Sequence, residues 1–285
     1  MNTNLSLSLS EAIEQFVPDG ASVALEGFTH LIPFAAGHEI IRQRRRGLHL
    51  IRMTPDLIYD QMIGMGCARK LTFSWGGNPG VGSLHRLRDA VENSWPVPLE
   101  LDEHSHAGMA AAYCAGASRL PFGMLRGYID TDLPAHNPRV RKVECPFTGE
   151  PLAAVPALNP DVTILHAQRA DRAGNIALHG IVGAQREAAL AATRLLVTVE
   201  EIVERLPPAM NGIVLPHWVV GAVVRCPGGA YPSYAQGHYV RDNAFYQRWD
   251  EIARERERFT AWMQRHVLDT GDHRQFLASL EATVA

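Results

Sequence analysis

The chain has 285 residues, 46% of them apolar and 20% charged, with a formal net charge of -3. That is enough apolar material for one large core or two modest ones, and too little net charge for a disordered chain. The balance also lacks the basic footprint of a nucleic-acid or anionic-membrane partner. Cys67, Cys114, Cys145 and Cys226 lie far apart with no CxxC pair, so neither a zinc nor a redox spacing is present and free thiols are expected. The first residues show no charged region followed by an apolar run, and no apolar stretch approaches the length of a membrane span. A cytoplasmic protein with no nucleic-acid or membrane partner is expected.

In chain order, Ser8 and Glu11 have capping-box spacing and open a helix through about Val17. Pro18-Asp-Gly20 is a turn, and the apolar run from Ser22 reads as the first buried strand of an α/β sheet. The strand meets Gly27, where another group can approach the backbone, and Pro33 starts a helix over 34–46 with Ile40 and Ile41 inward. A turn so placed lies at the carboxyl edge of a sheet, where open α/β folds bind ligands. An ordinary strand-to-helix connection has the same pattern. Arg44-Arg45-Arg46, before Gly47, reads as a cationic helix end.

Residues 48–53 form a second strand, Thr54-Pro55-Asp56 a helix start, and 70–75 a third strand. The following loop, Gly76-Gly-Asn-Pro-Gly-Val-Gly-Ser83, feeds a helix over 84–93. It matches neither phosphate-binding fingerprint, and Pro79 removes a backbone donor, so close passage of backbone past an acyl group or a neighbouring subunit is the better reading. A fourth strand, 99–104, ends in His104-Ser-His106, and an alanine-rich helix follows Gly108. Short antiparallel pieces are expected over 120–160, strands at 162–167, 195–199 and 218–224, and a helix over 184–193 between the first two of these. From Asn243 onward the chain becomes helical and charged, with Phe245, Trp249, Ile252, Phe259 and Trp262 near helical spacing. The expected architecture is α/β: an open, mostly parallel sheet flanked by helices over 1–242, with a C-terminal helical extension over 243–285 lying across the domain or a partner.

Several residues can carry chemistry. Ser105 beside His104 and His106 invites a hydrolase reading, but neighbours on a strand point to opposite faces and no GxSxG elbow exists, so substrate binding is preferred over a dyad. His30 can donate to a carboxylate or thioester carbonyl, or simply bond to backbone. Glu26 interrupts an apolar strand and must be paired or tuned; Glu200-Glu201 is a second edge carboxylate pair. Glu92-Asn93-Ser94 reads as solvated surface, and Asp171 to Asn175 as a turn. The thirteen histidines are scattered with no HxxxH or HExxH, so no metal is expected.

These residues resemble a known family, the α chains of class I coenzyme A transferases. Asp19-Gly-x-x-Val-Ala-Leu-Glu-Gly-Phe-x-x-x-x-Pro33 is similar to the family's first signature, with Glu26 in place of a glycine and a loop one residue shorter. Leu120-Pro-Phe122, His166-Ala-Gln168, Asp171-x-x-Gly-Asn175, Thr198-Val-Glu-Glu-Ile202, Gly228-Gly-Ala-x-Pro-Ser233 and Asp242-Asn-x-Phe245 resemble the glutaconate-transferase branch. Leu25 to Pro33, Arg52 to Asp60 and Ser74 to Gly82 resemble the 3-oxoadipate transferases of bacterial aromatic degradation.

The resemblance implies that this chain is half of an enzyme. The nucleophile would be a glutamate on a β subunit, in a motif this chain lacks, attacking succinyl-CoA to give an anhydride and then a glutamyl-CoA thioester before CoA passes to 3-oxoadipate. CoA would be a substrate, with no further cofactor, in an α2β2 or larger hetero-oligomer. This chain would supply the wall facing the acyl group: Gly27, Phe28, His30, Gly76, Gly77, Asn78, His104, Ser105 and His106, with a histidine suited to the second carboxylate of a dicarboxylic chain. A thioester hydrolase or decarboxylase, a glutaconate-type transferase and a non-catalytic scaffold are the alternatives.

Overall fold

Strand β1 (Ser22–Glu26) pairs in parallel with β8 (Val162–Asp171) on one side and β2 (Leu48–Ile51) on the other. The computed structural model describes residues 3–79, 81–208 and 211–284. Outward from β2 lie β3 (Ala68–Phe73) and β4 (Glu100–Glu103); beyond β8 lie β10 (Arg194–Val203) and β12 (Ala222–Arg225). The order β12-β10-β8-β1-β2-β3-β4 is parallel throughout, so all these carboxyl ends share one edge. Two antiparallel strands complete the nine: β9 (Ile176–His179) folds back on β8, and β11 (Gly212–Leu215) pairs with β9. The predicted mostly parallel α/β sheet is what forms.

Both faces of a parallel sheet must be buried, and alternation along β1 shows how this chain does it. Val23 and Leu25 enter a core shared with helices α1 (Leu9–Phe16), α2 (Phe34–Arg42), α3 (Leu57–Gly64) and α4 (His85–Asn93). Ala24 points the other way, into a core with α5 (His106–Ala117), α7 (Gln185–Ala191) and a small antiparallel sheet. That sheet is β5 (Phe122–Leu125), β7 (Pro151–Pro156) and β6 (Arg141–Glu144), with the single turn α6 (Leu133–His136) between β5 and β6. It accounts for the proline- and glycine-rich 120–160 stretch.

Past residue 242 the chain forms α8 (Asn243–Arg254), α9 (Arg256–Met263), a π-helical turn Gln264–Leu268 and α10 (His273–Val284) rather than one continuous helix. Phe245, Trp249, Phe259 and Phe276 are buried in the same core as β1 to β3. Burying such side chains contributes about 1.5–3 kcal/mol each, so this segment is part of the core that stabilises the sheet.

Other boundaries differ from expectation for identifiable reasons. Helix α2 stops at Arg42 because Arg44 takes a left-handed φ of 53°. Of the arginine run, Arg46 donates to Met65 O at the end of α3 (2.9 Å); separately, Arg42 in the last turn of α2 reaches Val267 O and Thr270 O. The expected strand over 218–224 shortens to β12, since Trp218 is 67% exposed in a 3-10 turn and Gly221 packs against Phe16. The Asp171–Asn175 turn joins β8 to β9, a hairpin the sequence pattern did not reveal. Helix α5 starts at His106, before Gly108, with Ser105 as its N-cap.

Candidate active site at the carboxyl edge of the sheet

The ends of β1, β2, β3 and β4 are stitched together side by side. Glu26 lies on the Ala24 face of β1, as period-two alternation requires, and meets α5 there. One of its carboxylate oxygens accepts from the Tyr113 hydroxyl (2.8 Å) and the Met53 amide (3.1 Å). Burial raises the Glu26 carboxyl above its ordinary pKa, although the Arg52 charge and these bonds oppose that. Arg52, itself buried, donates to the carbonyl of Gly27 (2.8 Å) and to Asp56 (3.1 Å) and lies over the Tyr59 ring. The buried pair of charges thus grips the glycine turn.

Met53 O in turn accepts from the Ser74 amide (3.1 Å) and the Ser74 hydroxyl (2.6 Å). Because that hydroxyl donates to Met53, it accepts from His106 Nδ1, 3.2 Å away. The bond selects the Nδ1–H tautomer and leaves Nε2 as the acceptor of the exposed His106 ring. Phe28, half-buried, rests against Gly183, and Trp75 stands 47% exposed beside Gly76 and Gly77. Ser74, Trp75 and His106 thus place a hydroxyl, aromatic surface and an imidazole acceptor together at the ends of β3 and β4, while Phe28 follows the end of β1.

The other site candidates are placed differently. His104 is buried, bonded to Asp102 (3.1 Å) and stacked on Tyr128, with no partner for Nδ1 among the described residues. Burial opposes ionisation of Asp102, but the bond from His104 and its charge, then Asn137 and Arg139, hold the carboxyl well below its usual range. Ser105 Oγ accepts from the Gly108 amide (3.1 Å), and its N–H and hydroxyl both donate to the Tyr128 hydroxyl. A Cβ on Gly108 would collide with that hydroxyl. Asn78 is buried and donates to Tyr246 O (2.8 Å) of α8, so the glycine-rich loop is fastened to this chain's own C-terminal segment. That bond ties the loop down at Asn78; Gly80 of the loop lies outside the described residues. His30 is fully buried and bonded to backbone, the plainer of its two readings.

Glu26, Asp102 and Glu200 are buried carboxylates on this edge, each held by at least two hydrogen bonds. Glu200 accepts from His166 (2.7 Å), Tyr239 (2.7 Å) and the Gly228 amide (2.9 Å). Although burial opposes it, the His166 bond and charge keep Glu200 below its usual pKa. Glu26 and Asp102 are held as described above. Glu201 is half-exposed and paired with Arg169 (2.9 Å). Among the described residues no three His, Cys, Asp or Glu side chains converge as metal ligands would, and no helix is long and apolar enough to cross a membrane. Sequence reasoning missed Arg52, Ser74, Tyr113 and Tyr128. Only Arg52 carried a visible signal, as a cation directly after an apolar strand.

A family profile described as Coenzyme A transferase matches residues 6–225. One subunit of the 3-oxoadipate CoA-transferase of Pseudomonas knackmussii is 64% identical over 274 residues, 96% of this chain and 97% of that protein. The crystal structure of glutaconate coenzyme A-transferase from Acidaminococcus fermentans superposes with a TM-score of 0.90 at 30% identity, covering 97% of this chain and 93% of that one. A variant of the decarboxylase AibA/AibB superposes with a TM-score of 0.80 at 33% identity, covering 93% and 100%. The chain belongs to the coenzyme A transferase family.

Proposed function

We propose that this chain is the α subunit of a 3-oxoadipate CoA-transferase, moving CoA from succinyl-CoA to 3-oxoadipate in a cytoplasmic hetero-oligomer, α2β2 or larger. The observation that carries this reading is the 64% identity, along 96% of the chain, to a subunit of an enzyme of that name. The site agrees with it: the buried carboxylates of the sheet edge are tied down, which suits a chain whose nucleophile comes from a second subunit. A partner glutamate attacks the succinyl thioester carbonyl, CoA thiolate leaves, and the thiolate then attacks the glutamyl carbonyl of the anhydride to release succinate. The 3-oxoadipate carboxylate reverses the sequence and leaves as its CoA thioester.

This chain's part is to bind and shield. Phe28, Gly27, Gly76 and Gly77 would face the acyl chain, and removal of water by that wall protects the anhydride. The ring of His106, oriented by Ser74, would bind the distal carboxylate once protonated, with Ser105 beside it. His30, Asn78 and His104 would act from behind, by holding the turns. The test is steady-state kinetics of the complex with a β subunit. His106→Ala should raise the KM for 3-oxoadipate about tenfold, the loss of one charge-assisted contact, with thermal stability unchanged. An unchanged KM would remove His106 from the site. Release of CoA from succinyl-CoA without an acceptor would favour a hydrolase instead.

A further inference from the structure

The loop that follows Gly27 is strained. Thr29 and Leu31, neither of them glycine, take left-handed φ values of 58° and 53°, a conformation that L side chains rarely adopt and that persists only where the surroundings over-determine it. Much of that surrounding is one segment, 229–236. Leu31 N–H donates to Tyr234 O (2.9 Å), Ala35 N–H to Gly229 O (2.9 Å), and the Ser233 hydroxyl to Thr29 O (2.9 Å).

The fourth link is His30. Its Nε2 accepts from the Gln236 amide (2.9 Å), so Nδ1 carries the proton and faces Ile181 O at 3.3 Å. The ring packs on Tyr234 with centroids 4.6 Å apart. Gly180, at φ 99°, lies against it, and a Cβ there would come within 3.0 Å of the ring and 2.4 Å of Gln236 Oε1. The imidazole thus serves as a rivet with one tautomer, and burial, the largest cause, lowers its pKa to about 4. Each bond in this clasp has one end within eight residues of Gly27, and the other ends lie on 229–236 except for Ile181 O. On the near side Arg52 fixes Gly27 O.

We propose that His30 and Ser233 are positioning residues for acyl recognition: they hold Thr29–Leu31 in its strained turn, and that turn sets Phe28 and the Gly27 backbone at the distance that suits a six-carbon 3-oxo dicarboxylate. The proposal rests on the transferase reading above. Neither residue touches substrate. The clasp stores the strain so that the acyl-facing wall is formed before substrate arrives, in place of being ordered by it.

The experiment compares 3-oxoadipate with acetoacetate, a shorter 3-oxo acid, as CoA acceptors in the complex with a β subunit. The variants are Ser233→Ala, His30→Leu, which cannot accept from Gln236 N–H, and His30→Gln, which can. Ser233→Ala and His30→Leu should each cut the kcat/KM preference for 3-oxoadipate over acetoacetate by about fivefold, the worth of one hydrogen bond, chiefly through KM. His30→Gln should restore most of the preference. Hydrogen exchange at the Leu31 amide should quicken in the first two variants and not in the third. A merely structural role would lower activity on both acceptors in proportion and leave the preference intact, which overturns the proposal. If His30→Leu fails to fold, Ser233→Ala, which removes one hydroxyl, decides alone. A wild-type complex inactive on both acceptors overturns the transferase reading and this inference with it; an active wild type with an unmoved preference overturns this inference alone.

Discussion

Replacing Trp249 with Phe should destabilise the whole chain, because α8 belongs to its core. Trp249 is fully buried, packs against Phe245, Phe259 and Trp262, and donates Nε1–H to Asp60 Oδ2 at 3.1 Å. The other Asp60 oxygen accepts the Arg86 and Leu87 amides (2.8 and 2.9 Å), so this one carboxylate joins α3, the first turn of α4 and α8. Removing the indole N–H forfeits a hydrogen bond to a charged group, about 1.5–3 kcal/mol. The smaller ring adds a packing loss of about 1 kcal/mol. The expected total is about 2.5–4 kcal/mol, a large share of the ~5–15 kcal/mol that holds a folded chain. Burial pushes the Asp60 carboxyl up to about 6. Above that pH the lost bond is charge-assisted and below it the acceptor is neutral, so the wild-type advantage should be largest near pH 8 and narrow at pH 5. Urea unfolding followed by circular dichroism at both pH values measures it, with Asp60→Asn completing a double-mutant cycle. A loss under about 0.5 kcal/mol, or one equal at both pH values, would refute this role for the indole.

Acid should weaken the fold. The rings of His30 and His273 are buried and neutral with pKa values lowered to about 4, chiefly by burial, whereas the unfolded chain protonates them near 6.5. Each therefore removes stability as pH falls from about 6.5 to 4, approaching about 1.4 kcal/mol per pH unit between those limits. Asp60 acts in the opposite sense over part of the range, since its raised carboxyl binds its proton first in the folded chain. Denaturant midpoints at pH 7 and 5 should show the net fall; a higher midpoint at pH 5 would contradict it. At Glu26, substitution by Gln keeps an oxygen for the Tyr113 and Met53 donors and should cost under about 1 kcal/mol, while Ala leaves both donors buried and unpaired at about 2–5 kcal/mol. Thermal melts of the two variants separate these outcomes.

The sequence showed most clearly the first half of the fold, and in the second half the parallel strands β8 and β10 with α7 between them. The runs at 22–26 and 48–51 are mostly apolar, and capping and turn residues bracket them, so strand and helix alternate legibly. The second half was harder, because β9 and β11 are four-residue antiparallel additions whose pairing is set by distant partners and not by local pattern. The same limit applied to the site. Gly27, Phe28 and His106 are chemistry-bearing residues at strand ends, and period and turn place them there. The roles of His30, Asn78 and Ser105 depend on Gln236, Tyr246 and Gly108 or Tyr128, and for His30 and Asn78 the partners are more than 150 residues away. Tyr113 could not be linked to Glu26 without the packing of α5 on β1. A buried polar side chain announces that it needs a partner, and only the fold says which one.

The most direct measurement is the intact mass of each subunit after the complex is incubated with succinyl-CoA and quenched in acid. A chain that shapes the cleft while its partner supplies the nucleophile should show no adduct, with the CoA thioester found on the partner subunit. A CoA or succinyl adduct on any side chain of this chain, or CoA exchange between succinate and 3-oxoadipate by this chain alone, would contradict that division of labour.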